Sequence, residues 1–130
     1  MECPRCQVEL EELPADDLKL HKCDDCSSLW IDVAELNRML IHNNFSGLET
    51  LGGKLDTEAL TGQCSECTVD LVRVNGGSRQ EPQHYDTCES CGGVFLESAF
   101  PDVNDVADAE AQIVAFFRTF AAKKQSALGT

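Results

Sequence analysis

A chain of 130 residues with 42 % hydrophobic but only 6 % aromatic content suits one ordinary domain or two small ones, and its few rings exclude a large conventional core in each half. A formal charge of −13, from 23 Asp and Glu against 10 Lys and Arg, repels nucleic-acid phosphate over most of the surface and favours basic partners. No apolar run approaches the roughly 18 residues of a membrane span, and Met1-Glu2-Cys3-Pro4 lacks the basic and apolar regions of a signal peptide, so the chain is expected to be cytoplasmic, with no membrane partner.

Cys3 and Cys6 open the chain with a C-x-x-C turn. Val8 and Leu10 then alternate with polar residues, the pattern of a half-buried strand. Pro14-Ala15-Asp16-Asp17 is turn chemistry, and residues 17–22, with Leu18 and Leu20 alternating, return as a second strand to the pair Cys23/Cys26. Leu29 to Ile31 predicts a short third strand. Asp32-Val33-Ala34-Glu35 has the form of a capping box, and Val33, Leu36, Met39 and Leu40 share one face of a helix expected over 33–41.

Residues 42–63, with Asn43-Asn44 and Gly52-Gly53, read as a linker with room for a helical turn around 56–60. Cys64 and Cys67 then open a second unit. Asn75-Gly76-Gly77-Ser78 is its expected turn, residues 83–87 its returning strand, Cys88 and Cys91 its second pair, and Val94 to Leu96 its third strand. Pro101 postpones the helix beyond it. An amphipathic helix is expected within 101–125, where Val103, Val106, Ile113, Val114, Phe117, Phe120 and Ala121 form a stripe widened by Phe116.

The two units are copies. Cys6-Gln7-Val8-Glu9-Leu10, with Leu13, recurs as Cys67-Thr68-Val69-Asp70-Leu71, with Val74. Cys26-Ser27-Ser28-Leu29-Trp30-Ile31-Asp32 recurs as Cys91-Gly92-Gly93-Val94-Phe95-Leu96-Glu97, each time ending on an acid. The expected fold is therefore a small metal-stabilised α+β protein. It comprises a first ribbon with a short helix (1–41), a linker (42–63), a second ribbon (64–100) and a C-terminal helix (101–125), each ribbon a three-stranded antiparallel sheet.

Two C-x-x-C turns place two thiolates on either side of one tetrahedral ion. Cys3, Cys6, Cys23 and Cys26 make one such set, and Cys64, Cys67, Cys88 and Cys91 a second, so two zinc ions are the expected cofactors. Iron is chemically allowed at four thiolates, and disulfides or reactive dithiols are the alternative. A cross-braced arrangement is disfavoured because each copy contains a complete set.

Cys3-Pro4-Arg5-Cys6, followed by Cys23-x-x-Cys26-x-x-Leu29-Trp30-Ile31-Asp32-x-x-Glu35-Leu36, resembles the bacterial zinc ribbons named after transcription factor IIB. Members read C-P-x-C at the first knuckle and C-G-G-x-W-L-D-x-G-E-L at the second. The resemblance covers residues 1–41 well and 64–97 more loosely. The second unit keeps Gly92-Gly93 but has Phe95 for the tryptophan, whereas the first has Ser27-Ser28 for the glycines. The cysteines are the functional residues it carries over, and a link to transcription is what the family name implies.

Trp30 and Phe95 occupy equivalent positions, where an aromatic either packs over the knuckle or anchors a partner. Phe116, Phe117 and Phe120 either dock on the ribbons as core or make the helix a dimerisation or partner surface. His21, His42 and His84 are expected outside the metal sites. No catalytic set emerges, and a closed four-thiolate site is structural in character, so the chain is not expected to be an enzyme. The reading is a zinc-binding adaptor for a protein with a basic surface, acting through the acidic ribbon faces, the aromatic helix or both. A nucleic-acid-binding ribbon and a redox- or zinc-responsive switch are the alternatives. The first needs a basic patch that Arg5, Lys19, Lys22, Arg38 and Lys54, scattered, and Arg73 and Arg79, close together, hardly supply.

Overall fold

The third strands of the two copies pair with each other. In a computed structural model, which describes residues 2–13, 20–56, 58–59, 62–64, 66–97, 103 and 105–121, the elements run β1 (Glu11–Glu12), β2 (Leu20–Lys22), β3 (Leu29–Asp32) and α1 (Val33–His42), then a 3-10 turn (Leu48–Leu51). After it come β4 (Lys54–Asp56), β5 (Val72–Gly77), β6 (Pro82–Thr87), β7 (Gly93–Leu96) and α2 (Val106–Phe120). Among the described residues the strands form one sheet in the order β1-β2-β3-β7-β6-β5-β4. Every pairing between neighbours is antiparallel.

That order reads the same from either end once the extra edge strand β4 is set aside, and the register makes the symmetry local. Trp30 pairs opposite Phe95, its own equivalent in the repeat, while Leu29 faces Leu96 and Ile31 faces Val94. A pseudo-twofold axis therefore passes between Trp30 and Phe95. Two three-stranded ribbons that would each carry an open edge close those edges on one another.

Period-2 alternation splits the side chains between two faces. Leu20, Leu29, Ile31, Val74, Tyr85, Val94 and Leu96 face the helices, in one cluster with Leu36, Leu40, Ile113 and Phe117. Trp30, Phe95, Leu10 and Leu71 face the other way and cluster with the buried cysteines of both units. The knuckles and the helices thus sandwich the sheet.

Asp32 caps α1 by accepting from the Ala34 N–H at 2.9 Å, and Asp105 caps α2 by accepting from Asp108 N–H at 2.8 Å. The aromatic stripe of α2 turns inward onto β5 and β6. Phe117 meets Tyr85 edge-on at 5.9 Å between centroids, and Phe120 lies 5.4 Å from the same ring. The Phe120 ring sits over Gly76 and against Gly53, where a Cβ on either glycine would collide with it.

Several sequence expectations shift in place. The stretch at Val8–Leu10 is largely taken up by the knuckle, because Cys3 N–H donates to Val8 O at 2.8 Å, and the strand starts two residues after Glu9. Gly76 and Gly77 belong to β5; Phe120 needs the bare backbone at Gly76, and Gly77 leaves the strand at φ 77°, where a Cβ would meet the Glu81 carbonyl. The turn moves to Ser78–Glu81, where the Glu81 N–H donates to Ser78 Oγ at 3.0 Å. The segment expected as a linker supplies the 3-10 turn and β4, which pairs with β5. β4 stands where a helical turn was expected to begin. The Pro14–Asp17 turn and the ends of the C-terminal helix beyond 105–121 fall outside the described residues. No helix among the described residues is long and apolar enough to cross a membrane.

Candidate metal centres

Four turns of one design carry the eight cysteines. In each, the leading cysteine's carbonyl accepts from the N–H four residues on: Gln7 to Cys3 at 2.9 Å, Ser27 to Cys23 at 2.9 Å, Thr68 to Cys64 at 3.0 Å and Gly92 to Cys88 at 2.8 Å. The donating residue is left-handed every time, with φ of 61°, 59°, 54° and 76°. Such a turn leaves backbone N–H groups aimed at the first sulfur. Arg5 and Cys6 donate to Cys3 Sγ at 3.4 and 3.5 Å, and Cys91 donates to Cys88 Sγ at 3.4 Å.

The result is two four-cysteine clusters, Cys3/Cys6/Cys23/Cys26 and Cys64/Cys67/Cys88/Cys91, with all sulfurs of a cluster within 4.8 Å of one another. Tetrahedral zinc with bonds of about 2.3 Å requires sulfurs about 3.8 Å apart. Cys3 and Cys26 are 3.7 Å apart, as are Cys64 and Cys91. All eight thiols are free of disulfide bonds. Either cluster could hold one zinc ion, and four sulfur donors leave no open position for a water to react.

Crowding makes the thiols titrate as a set. Hydrogen bonding to Cys26, followed by burial, pushes Cys6 up to about 12, and burial pushes Cys3 up to about 11. Burial also pulls Cys26 upward, but hydrogen bonds from Ser28 and from Cys6, Cys23 and Cys3 outweigh it and bring that thiol below its ordinary value. In the second cluster partial desolvation by the neighbouring sulfurs and backbone pushes the metal-free Cys91 thiol up to about 12, although the residue is exposed to solvent. A bound cation would hold it as a thiolate. Four sulfurs that resist ionising together are the surroundings a divalent cation relieves.

Between the clusters lie the aromatics. Trp30 is 5 % and Phe95 0 % exposed, their centroids 6.3 Å apart. They pack between the knuckles, clustered with the buried cysteines of both units. Phe116, Phe117 and Phe120 are likewise buried within their own chain, as the core-docking alternative of the two requires. His21 approaches Glu12 at 3.9 Å and His84 approaches Glu97 at 3.6 Å, and none of the three histidines belongs to either cluster.

An ion-pair network across the two copies was not anticipated. Asp86 is fully buried and is held by Arg5 Nη2 at 2.7 Å and Arg73 Nε at 3.0 Å. Glu97 joins through Arg5 at 2.9 Å and Arg73 at 3.4 Å. Burial works against its charge, yet Arg5, His84 and Arg73 hold its carboxyl below the usual range. Arg5 lies 5.4 Å over the Phe95 ring as well. The repeat contained a trace of this network. The opposed pair Glu12/His21 of β1 and β2 corresponds to Arg73/Asp86 of β5 and β6, the same contact with its polarity reversed.

Residues 2–41 match the family model described as a transcription factor zinc-finger of the TFIIB zinc-ribbon type. Neither a curated protein nor a solved structure matches the chain. Residues 2–41 are thus similar to a zinc ribbon of the transcription factor IIB type, and the cluster at 64–91 suggests a second ribbon in the same sheet.

Proposed function

We propose that the protein is a zinc-stabilised, non-catalytic adaptor that uses its acidic surface to bind a protein with a basic face. The observation that carries this reading is where the cations go. Among the described residues, Arg5 and Arg73 turn inward onto Asp86 and Glu97, and Lys22 Nζ donates to the Val103 carbonyl at 2.8 Å. Arg38 pairs with Glu35 at 3.1 Å, and Arg118 lies over Phe45. Only Lys54 and Arg79 among them are left facing outward without such a partner.

Apart from Asp86 and Glu97, acids gather on the outside at one edge of the sheet. Glu11 and Glu12 on the edge strand β1, with Asp24 and Asp25 on the adjoining knuckle, are exposed. A hydrogen bond with Asp24 raises Glu11 above its ordinary value, as expected where two carboxylates crowd one another. A cation from a partner would relieve that repulsion. The family description supports a transcription-associated setting, and this surface favours reaching it through protein rather than nucleic acid.

Affinity purification from the native host tests the reading, comparing wild type with a chain carrying Glu11→Lys, Glu12→Lys, Asp24→Lys and Asp25→Lys. A protein held by wild type at moderate salt and lost from the reversed chain supports it. Recovery of nuclease-sensitive nucleic acid in its place, or equal recovery by both chains, contradicts it.

A further inference from the structure

The repeat lets the two cysteine clusters be compared position by position, and they are not equally protected. Cys26 in the first corresponds to Cys91 in the second. Cys26 is part-buried, and its sulfur lies 3.0 Å from the hydroxyl of Ser28, itself fully buried. The position of Ser28 is taken in the second copy by Gly93, which has no hydroxyl to give, and Cys91 is exposed. A hydroxyl that donates to a thiolate occupies one of its lone pairs and shields it, so the two sulfurs differ in both access and nucleophilicity.

The difference is built into the fold. A Cβ at Gly93 would overlap the ring of Trp30, with Cζ2 and Cε2 the nearest atoms. Trp30 belongs to the first copy and Gly93 to the second, brought together by the β3–β7 ladder. The tryptophan of one ribbon therefore keeps the other ribbon's cysteine uncovered. On the opposite side of the pseudo-twofold axis the smaller Phe95 replaces Trp30, and a serine stands at the corresponding position.

We propose that the cluster at Cys64, Cys67, Cys88 and Cys91 is a peroxide-sensitive site, with Cys91 as its point of attack, while the first cluster resists. The Cys91 thiolate attacks one oxygen of hydrogen peroxide. The O–O bond breaks, hydroxide leaves, and Cys91 becomes a sulfenic acid. The thiolate of Cys64, 3.7 Å away, then attacks the Cys91 sulfur, so that an S–S bond forms, the S–OH bond breaks and a second hydroxide leaves. The two thiolates lose two electrons, peroxide gains them, and two protons from solvent complete two water molecules. Cys67 and Cys88 alone no longer make a four-donor site, and the metal ion is released. This extends beyond binding of a partner and does not depend on it.

The test uses the full chain carrying two zinc ions, titrated with hydrogen peroxide while a metallochromic indicator follows free zinc and mass spectrometry maps the disulfides. The expected record has two phases. One zinc per chain leaves first together with a Cys64–Cys91 disulfide, and the second leaves at least about ten-fold more slowly. Ser28→Gly, which replaces no ligand, should speed the slow phase several-fold, and the pair Trp30→Phe with Gly93→Ser should slow the fast one. Release of both ions in one phase, earlier oxidation of Cys3, Cys6, Cys23 or Cys26, or a slow phase unmoved by Ser28→Gly overturns the proposal. If Ser28→Gly cannot hold two ions at the start, the order of oxidation in wild type decides alone.

Discussion

Arg5 Nη2 lies 2.7 Å from Asp86 Oδ2, so a residue between two cysteines of the first cluster neutralises a fully buried carboxylate two positions before Cys88 of the second. The first knuckle and the second ribbon are thereby fastened by a contact that neither copy contains alone. Removing one partner of a buried pair strands the other charge, at about 3–5 kcal/mol, and Arg73, which also holds Asp86, should soften that here. Arg5→Met is expected to lower stability by about 2 kcal/mol in urea unfolding with excess zinc. A double-mutant cycle with Asp86→Asn should show coupling of at least about 1 kcal/mol. Additive effects would mean the contact contributes nothing across the seam.

Gly93 is the position where the two copies fit most tightly, because its missing side chain makes room for Trp30. Gly93→Ala should therefore destabilise by about 1–3 kcal/mol through overpacking. Trp30→Phe in the same chain should restore a good part of the loss. Unfolding midpoints measured on the single and double variants check this, and a double variant weaker than the sum of the two singles contradicts it.

Thr68 adopts φ of 54°, left-handed, although it is β-branched. Its equivalent in the last knuckle is Gly92, at 76°. The left-handed region costs a side chain of this kind about 1–2 kcal/mol, so Thr68→Gly should stabilise the zinc-loaded protein by about 1 kcal/mol despite the loss of the Thr68 Oγ1 bond to Cys67 O at 2.7 Å. Differential scanning calorimetry at saturating zinc would show a raised Tm. A lowered one would mean the hydroxyl outweighs the strain.

Phe117 is 0 % exposed and packs edge-on against Phe116 at 4.8 Å. Phe117→Ala should cost about 3–5 kcal/mol and destabilise the whole sheet, since α2 covers β5 and β6. Normal stability in this variant, paired with lost binding of a partner, would return the aromatic stripe to the outer surface.

The clusters were legible because zinc chemistry fixes residue type and spacing, and both sets of four stand in the sequence where the structure gathers them. Helix α1 was legible for a similar local reason: Asp32 caps the helix directly after it, so cap and helix are neighbours in the chain. The joining of the ribbons was not. Nothing in the spacing of Trp30 and Phe95 says that they face each other, because a pairing between copies has no sequence period. The glycines misled in the same way. Gly76-Gly77 suggests a turn on local grounds, which Gly77 serves at the end of the strand, but only the docking of Phe120, far along the chain, explains the bare backbone at Gly76. Asp86 reads as one acid among 23 until Arg5 and Arg73 are found on either side of it. The motif Cys91-Gly92-Gly93 divides into two separate demands. The first glycine serves a left-handed turn that Ser27 also manages at 59°, and the second makes room for a ring from the other copy.

The account depends most on two metal ions held in one reduced, four-cysteine site each. Native mass spectrometry of the protein purified with zinc and without chelator measures this directly. It should find one chain with two zinc ions and eight reduced thiols, and one zinc fewer after Cys23→Ser, with the second cluster still filled. A chain of metal-free mass that has lost eight hydrogens to four disulfides would contradict it.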